Sequence, residues 1–272
     1  MPKRVDLFDS TYGHFSDRVL DAIRKDTYGV DIGQNSWTTA DEYDRFIEWL
    51  DLRAGARVLE VASGSGGPAR YLARKTGCHV TGIDSNQAGV ETALRLAREA
   101  GDGDRIDFRV ADATAPLPFP AESFDALICI DSMNHLPDRL AVLREWQRVL
   151  RAGGRAVFTD PVVITGPVTN DEIALRSSIG LFVFIPPLVT QRFIDDAGLD
   201  LVREEDVTGS AALTAGRWHR AREARRRDLL QIEGEERYEG LQRFFAAVHR
   251  LTSERRLSRL VYLVEKPAGS SS

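Results

Sequence analysis

The chain has 272 residues, 43% of them hydrophobic and 28% charged, enough to bury one substantial core, or one core with a cap. Its net charge of −5 argues against a nucleic-acid surface covering the whole domain. No run approaches the roughly 18 apolar residues of a membrane span, and the N-terminal stretch lacks the apolar segment of a secretory signal.

The two cysteines, Cys78 and Cys129, lie in apolar strand-like segments, which predicts buried thiols in a reducing cytoplasm. In chain order, residues 16–25 with Phe15, Val19, Leu20 and Ile23 form a helical stripe. The loop "DTYGVDIGQNSW" follows, then a helix marked by the capping-box pair Thr39 and Glu42, with Tyr43, Phe46, Ile47 and Leu50 on one face. From there strands and helices alternate. Strands are predicted over 57–62, 79–84, 106–110, 126–130 and 155–159. The intervening helices start near Pro68, after Asn86 and around Asp138, the last two stopping at Gly101 and at Gly153–Gly154. Beyond residue 162 the pattern breaks into mixed loop and helix, a strand over 199–204, a long polar helical stretch over 210–254 and a closing strand over 259–266. The tail "PAGSSS" is expected to be disordered.

This order predicts an α/β fold with a Rossmann-like, seven-stranded, mostly parallel sheet, helices on both faces and a helical cap. One domain over 1–272 is expected. Its core takes about 39–161, 199–206 and 257–266, its N-terminal helices 1–38, and its cap about 162–198 and 210–255.

In such a sheet ligands bind beyond the carboxyl ends of the strands. Those ends are Glu60–Gly67, Asp84–Ser85–Asn86, Ala111–Asp112–Ala113, Asp131–His135 and Asp160, an acidic ring around glycine turns. Gly64, Gly66 and Ala69 fit the G-x-G-x-x-A dinucleotide turn, so an NAD-dependent oxidoreductase is one reading. Three features favour S-adenosylmethionine instead. Glu60 would repel a pyrophosphate but suits a cationic amino group. Asp112 offers an acceptor for an adenine amine. The chain also closes on an isolated apolar strand rather than a second mononucleotide half. Asp84, about twenty residues past the turn, can accept hydrogen bonds from both ribose hydroxyls.

The segments "LEVASGSGGPARYLA", "VTGIDSN", "DATAPLPFPAESFDALIC" and "HLPDRLAVLREWQRVLRAGGRAVF" resemble, in order and spacing, the class I S-adenosylmethionine-dependent methyltransferases of the ubiquinone-biosynthesis-like (type 11) group. The resemblance covers about 57–160 and implies methyl transfer to a small-molecule acceptor, with O- or N-methylation favoured. It implies that Gly64 and Gly66 line the methionine part of the cofactor, Asp84 holds the ribose, and Asp112 with Ala113 holds the adenine. "TYGVDIGQNSW" resembles the upstream segment whose Tyr and Ser contact the cofactor carboxylate, here Tyr28 and Ser36. Gln34, Ala62, Ser85, Asn86 and Ile130 complete the expected cofactor contacts. The chain departs from the family at Glu60, where Asp is usual, and at Ala62, where Gly is usual.

His135 is read either as the acceptor's general base or as a structural histidine capping the following helix. Asp131, Asp160, Phe182, Arg217 and Trp218 are candidates for the acceptor pocket, with core packing of the cap as the alternative for the aromatics. The basic run 216–230 reads mostly as a solvated helix face. The five histidines are scattered and no H-E-x-x-H or C-x-x-C occurs, so no metal is expected. "IDSMNHL" replaces the Pro-Pro-aromatic run typical of nucleic-acid amine methyltransferases, so neither nucleic acid nor membrane is an expected partner. A binding protein that holds S-adenosylmethionine without catalysis remains open on sequence, as does any oligomeric state.

Overall fold

The computed structural model describes residues 5–269 of the chain. Two helices come first, α1 (Phe8–Gly13) and α2 (Arg18–Tyr28), followed by α3 (Ala40–Trp49). The alternating body is β1 (Arg57–Val61), α4 (Gly67–Thr76), β2 (His79–Asp84), α5 (Gln87–Glu99), β3 (Ile106–Val110), β4 (Phe124–Cys129), α6 (Arg139–Val149) and β5 (Leu150–Ile164). After it come α7 (Asn170–Arg176), α8 (Val189–Asp196), β6 (Asp200–Asp206), α9 (Thr208–Glu223), α10 (Arg226–Glu233), α11 (Glu235–Ser253) and β7 (Leu257–Glu265). Of the tail expected to be disordered, residues 270–272 lie outside the described residues.

The seven strands form one sheet in the order β3-β2-β1-β4-β5-β7-β6. The pairs among β1–β5 are parallel, and β7 runs antiparallel to both β5 and β6. Because β1 pairs with β2 on one side and β4 on the other, the chain leaves it in opposite directions, opening a crevice at the carboxyl ends of β1 and β4. Period-two alternation puts Leu59 and Val61 on one face with Trp146, Phe158 and Tyr262, and Val58 on the other with Phe46, Ile128 and Val261. A third apolar cluster joins α2 to α9 and α11 through Trp37, Trp218, Phe244 and Phe245. No helix among the described residues is long and apolar enough to cross a membrane.

Three elements differ from the sequence reading. The predicted 155–159 strand extends to Leu150–Ile164, because β7 supplies pairs as far as Ile164↔Leu257, across a bulge after Asp160. The single long helix over 210–254 is three helices, broken after Ala224 and at Gly234, whose φ of 76° and ψ of 165° suit only a residue without a side chain. The capping box of α3 is half formed. Thr39 Oγ1 accepts from Glu42 N at 3.3 Å, but the Glu42 carboxylate turns instead to Arg259 and to Ser210 Oγ.

Candidate functional site

The turn after β1 is the centre of the crevice. Ala62 is held at φ 59°, Gly64 at 51° and Gly66 at 73°, so the chain reverses sharply and delivers α4 with Pro68 in its first turn. Gly64 is close against the Tyr12 ring, where a Cβ would meet the hydroxyl at 2.7 Å. Gly66 faces away from the crevice: a Cβ there would lie 2.3 Å from Phe108. Gly66 is therefore required by packing and does not line the ligand space expected for it.

Asp84, at the end of β2, holds the turn from below. Its Oδ2 accepts from Gly64 N and its Oδ1 from Asn86 N, each at 2.8 Å. Burial raises its pKa, and those two amides oppose the rise. Asn86 caps α5 by accepting from Gly89 N.

A cleft of about 660 Å³ opens over these strand ends. Ala62, Asp84, Ser85, Asn86, Asp112 and Ala113 form its floor, and Phe8, Tyr12, Leu136 and Ile179 form its walls. Asp112 is exposed, and Thr114, through its hydroxyl and amide, lowers its pKa.

A deeper recess of about 80 Å³ is lined by Glu60, Ser63, Gly64, Ser65, Asn35, Ser36, Ile130 and Asp131. Glu60 is 4% exposed, and among the described residues its Oε2 has no hydrogen-bond partner; neither do Ser63 Oγ and Ser65 Oγ. Burial first, then the nearby Asp84, pushes the Glu60 pKa up to about 8, against the Ala69 amide that lowers it. A buried carboxyl with an unpartnered oxygen beside two unpartnered hydroxyls is a polar site shaped for a ligand, since such groups are costly when left unpaired.

A third space, about 40 Å³, lies under the helical cover. Trp37, Phe182, Trp218, Phe244 and Phe245 wall it, together with Asn134, Arg176 and Asp131. Trp218 stacks on Phe245 with ring centroids 4.7 Å apart. Phe8 and His135 line all three spaces, so the imidazole sits at their junction.

His135 Nδ1 lies 2.8 Å from the Leu181 carbonyl, which makes Nδ1 the protonated nitrogen and leaves Nε2 as the acceptor. Its ring meets Phe182 edge-on at 4.6 Å and Phe8 at 5.8 Å. Burial lowers its pKa to about 4. The capping role read for it belongs to Asp138, which accepts from Ala141 N at the start of α6.

Five expected contacts lie outside these spaces or are otherwise engaged. Tyr28 is buried among the cover aromatics, its hydroxyl donating to the Ser36 carbonyl. Gln34 is 1% exposed and turns onto its own loop, accepting from Ile32 N at 2.8 Å. Asp160 is fully buried and pairs with Arg139. Arg217 is half-buried on α9 and lines none of the three. Asp131 does reach the recess, but its oxygens already accept from Arg259 Nε, Thr159 Oγ1 and Trp37 N. Arg259, fully buried on β7, also binds Glu42 Oε2 at 2.6 Å and Thr38; burial works to lower its pKa, and the Asp131 and Glu42 carboxylates outweigh it and raise it.

Tyr12, Phe8, Asn134 and Arg176 were not legible as site residues. Tyr12 and Phe8 sit on a six-residue helix too short to show a period, and Arg176 lies where the sequence shows only mixed loop and helix.

Residues 59–158 match the family described as "Methyltransferase domain". The methyltransferase GfsG of Streptomyces halstedii is 40% identical over 185 residues, covering 63% of this chain and 65% of that protein. The 27-O-demethylrifamycin SV methyltransferase of Amycolatopsis mediterranei (strain S699) is 36% identical over 168 residues, 61% of each chain. The chain thus spans less than two thirds of the length of these curated relatives. Among solved structures, phosphoethanolamine N-methyltransferase 2 of Haemonchus contortus in complex with S-adenosyl-L-methionine superposes with a TM-score of 0.79 at 19% identity, over 98% of this chain and 61% of that one. Over residues 59–158, this chain is similar to that methyltransferase-domain family.

Proposed function

We propose that this protein transfers a methyl group from S-adenosylmethionine to a small-molecule acceptor by in-line displacement. The observation that carries the reading is the buried, unpartnered Glu60 Oε2 in the recess beside the glycine turn. An anionic dinucleotide phosphate finds no countercharge there, whereas the ammonium of a methionine moiety ionises the carboxyl and completes an ion pair. Ser36, Asn35 and Tyr12 then face the methionine end in place of Tyr28 and Gln34. Asp84 accepts from the ribose, and Asp112 with Ala113 takes the adenine, while Ala62, Ser85 and Asn86 line the cleft and Ile130 the recess. When bound, S-adenosylmethionine supplies an electrophilic methyl on its sulfonium.

The residues of the chain contribute alignment, exclusion of water and proton handling. Phe8, Phe182 and the cover aromatics enclose the space where the acceptor meets the cleft. His135 Nε2, deprotonated at neutral pH, is the group we assign to take or orient the acceptor's proton. O- or N-methylation is favoured, in keeping with the 27-O-methylating relative and the N-methylating structural neighbour.

Calorimetry with S-adenosylhomocysteine and with NADH tests the reading. We expect micromolar or tighter binding of the first, about −8 kcal/mol, no comparable binding of the second, and a loss of roughly 1–3 kcal/mol in Asp84→Ala. A preference for NADH, or unchanged binding in Asp84→Ala, would sink it.

A further inference from the structure

Five arginines are buried among the described residues: Arg24, Arg139, Arg176, Arg222 and Arg259. Four of them have a carboxylate. Arg24 pairs with Asp31, Arg139 with Asp160, Arg222 with Glu233, and Arg259 with Asp131 and Glu42. Arg176, the last residue of α7, has none, although it is only 2% exposed. Its Nε and Nη1 lack any hydrogen-bond partner among the described residues. Instead its guanidinium carbon lies 4.6 Å from the Phe182 ring centroid, 5.3 Å from Phe244 and 5.8 Å from Trp37.

A desolvated cation held only by ring faces is poorly compensated. Burial lowers the Arg176 pKa to about 9, which still leaves it charged at neutral pH. Asp131 and Asp160 offset only part of the burial, and each is already paired, with Arg259 and with Arg139. The guanidinium lines the 40 Å³ space under the cover. That volume holds roughly three water-sized atoms, the size of a carboxylate group. Asn134, 1% exposed, lines the same space with both its amide atoms unpartnered.

We propose that Arg176 is the acceptor-recognition residue and that the acceptor carries a carboxylate, which docks on Arg176 and Asn134 inside the aromatic pocket. The planar fork of the guanidinium matches a carboxylate bidentately, end-on through Nη1 with Nη2 or side-on through Nε with Nη2, and Nε and Nη1 are both unpartnered. The Asn134 Nδ2 adds a third donor. His135 lines both this pocket and the cleft, so an acceptor anchored by its carboxylate presents its nucleophilic atom toward Nε2. The proposal rests on the methyl-transfer reading and narrows its acceptor class.

The test uses two probes of one shape, propionate and propionamide, titrated into the protein saturated with S-adenosylhomocysteine. Tryptophan fluorescence reports the pocket, because Trp37 and Trp218 line it. We expect propionate to bind at least tenfold more tightly than propionamide. Arg176→Met should abolish that preference, and Arg176→Lys should retain part of it. Equal binding of the two probes, binding of neither, or an undiminished preference in Arg176→Met overturns the proposal. Should both variants fail to fold, the wild-type comparison alone decides. S-adenosylhomocysteine affinity, measured first in the same sample, separates failure of the pocket from failure of the methyl-transfer reading.

Discussion

Two walls of the site are built differently, the strand-end floor of the cleft and its recess, and the aromatic lining of the space under the cover. The floor takes residues from successive strand ends, from Glu60 through Asp84 to Asp112, and its unpartnered group is an acid. The opposite wall gathers Phe8, Trp37, His135, Arg176, Phe182 and Phe244 from six separate parts of the chain, and its unpartnered charge is a cation. One wall is a local motif whose chemistry follows from a turn. The other exists only when distant helices meet. An acid that ionises on meeting an ammonium and an unpaired cation suit two ligand groups of opposite charge, one for each wall.

His135 is where the walls join, and its removal should have the largest effect. His135→Ala is expected to lower kcat by roughly 10²–10⁴-fold, with S-adenosylhomocysteine affinity nearly unchanged. With a pKa lowered to about 4, the imidazole is already neutral at pH 6.5, so this group should bring no loss of rate until the pH falls toward 4. A well-folded variant within tenfold of wild-type turnover would leave positioning as the sole source of rate.

Arg259 ties the walls together, reaching from β7 to Asp131, Glu42 and Thr38. Arg259→Met strands two buried carboxylates and should cost about 3–5 kcal/mol of stability, lowering Tm by roughly 5–15 °C. A shift of a degree or two would show that the network does not hold the cover.

Glu60→Gln sharpens the contrast between the walls. Its loss of a charged acceptor should weaken S-adenosylhomocysteine binding about 10–100-fold. The free carboxyl has a pKa near 8 against an ordinary 4.5, so at pH 7 it is mostly protonated and binding an ammonium should release a proton. Affinity should then rise with pH up to about 8 and level off. Because the folded pKa is raised, ligand-free stability from this group falls as pH climbs from about 4.5 to about 8 and is flat above. Calorimetry in buffers of different ionisation enthalpy, wild type against Glu60→Gln, checks both signs. Equal proton release in the two proteins would refute the pairing.

The sequence by itself determined the alternating body, because strand and helix periods, Asn86 and Asp138 caps and the glycine turn are written in neighbouring residues. β2 and β3 fell where the pattern put them, and Asp84, Asp112 and Ala113 reached the cleft expected for them. Only the tertiary structure decided the rest. β5 runs on to Ile164 because β7, about a hundred residues later, pairs with it. Glu42 left its capping box because Arg259 offers a buried countercharge. Gly66 turned out to serve Phe108 rather than a ligand. Tyr12 displaced Tyr28 at the cleft because α1 packs on α5 while Tyr28 joins the cover core. The lone charge on Arg176 is legible only after every other buried arginine has been paired, and pairing is a property of distances in space, which no local period records.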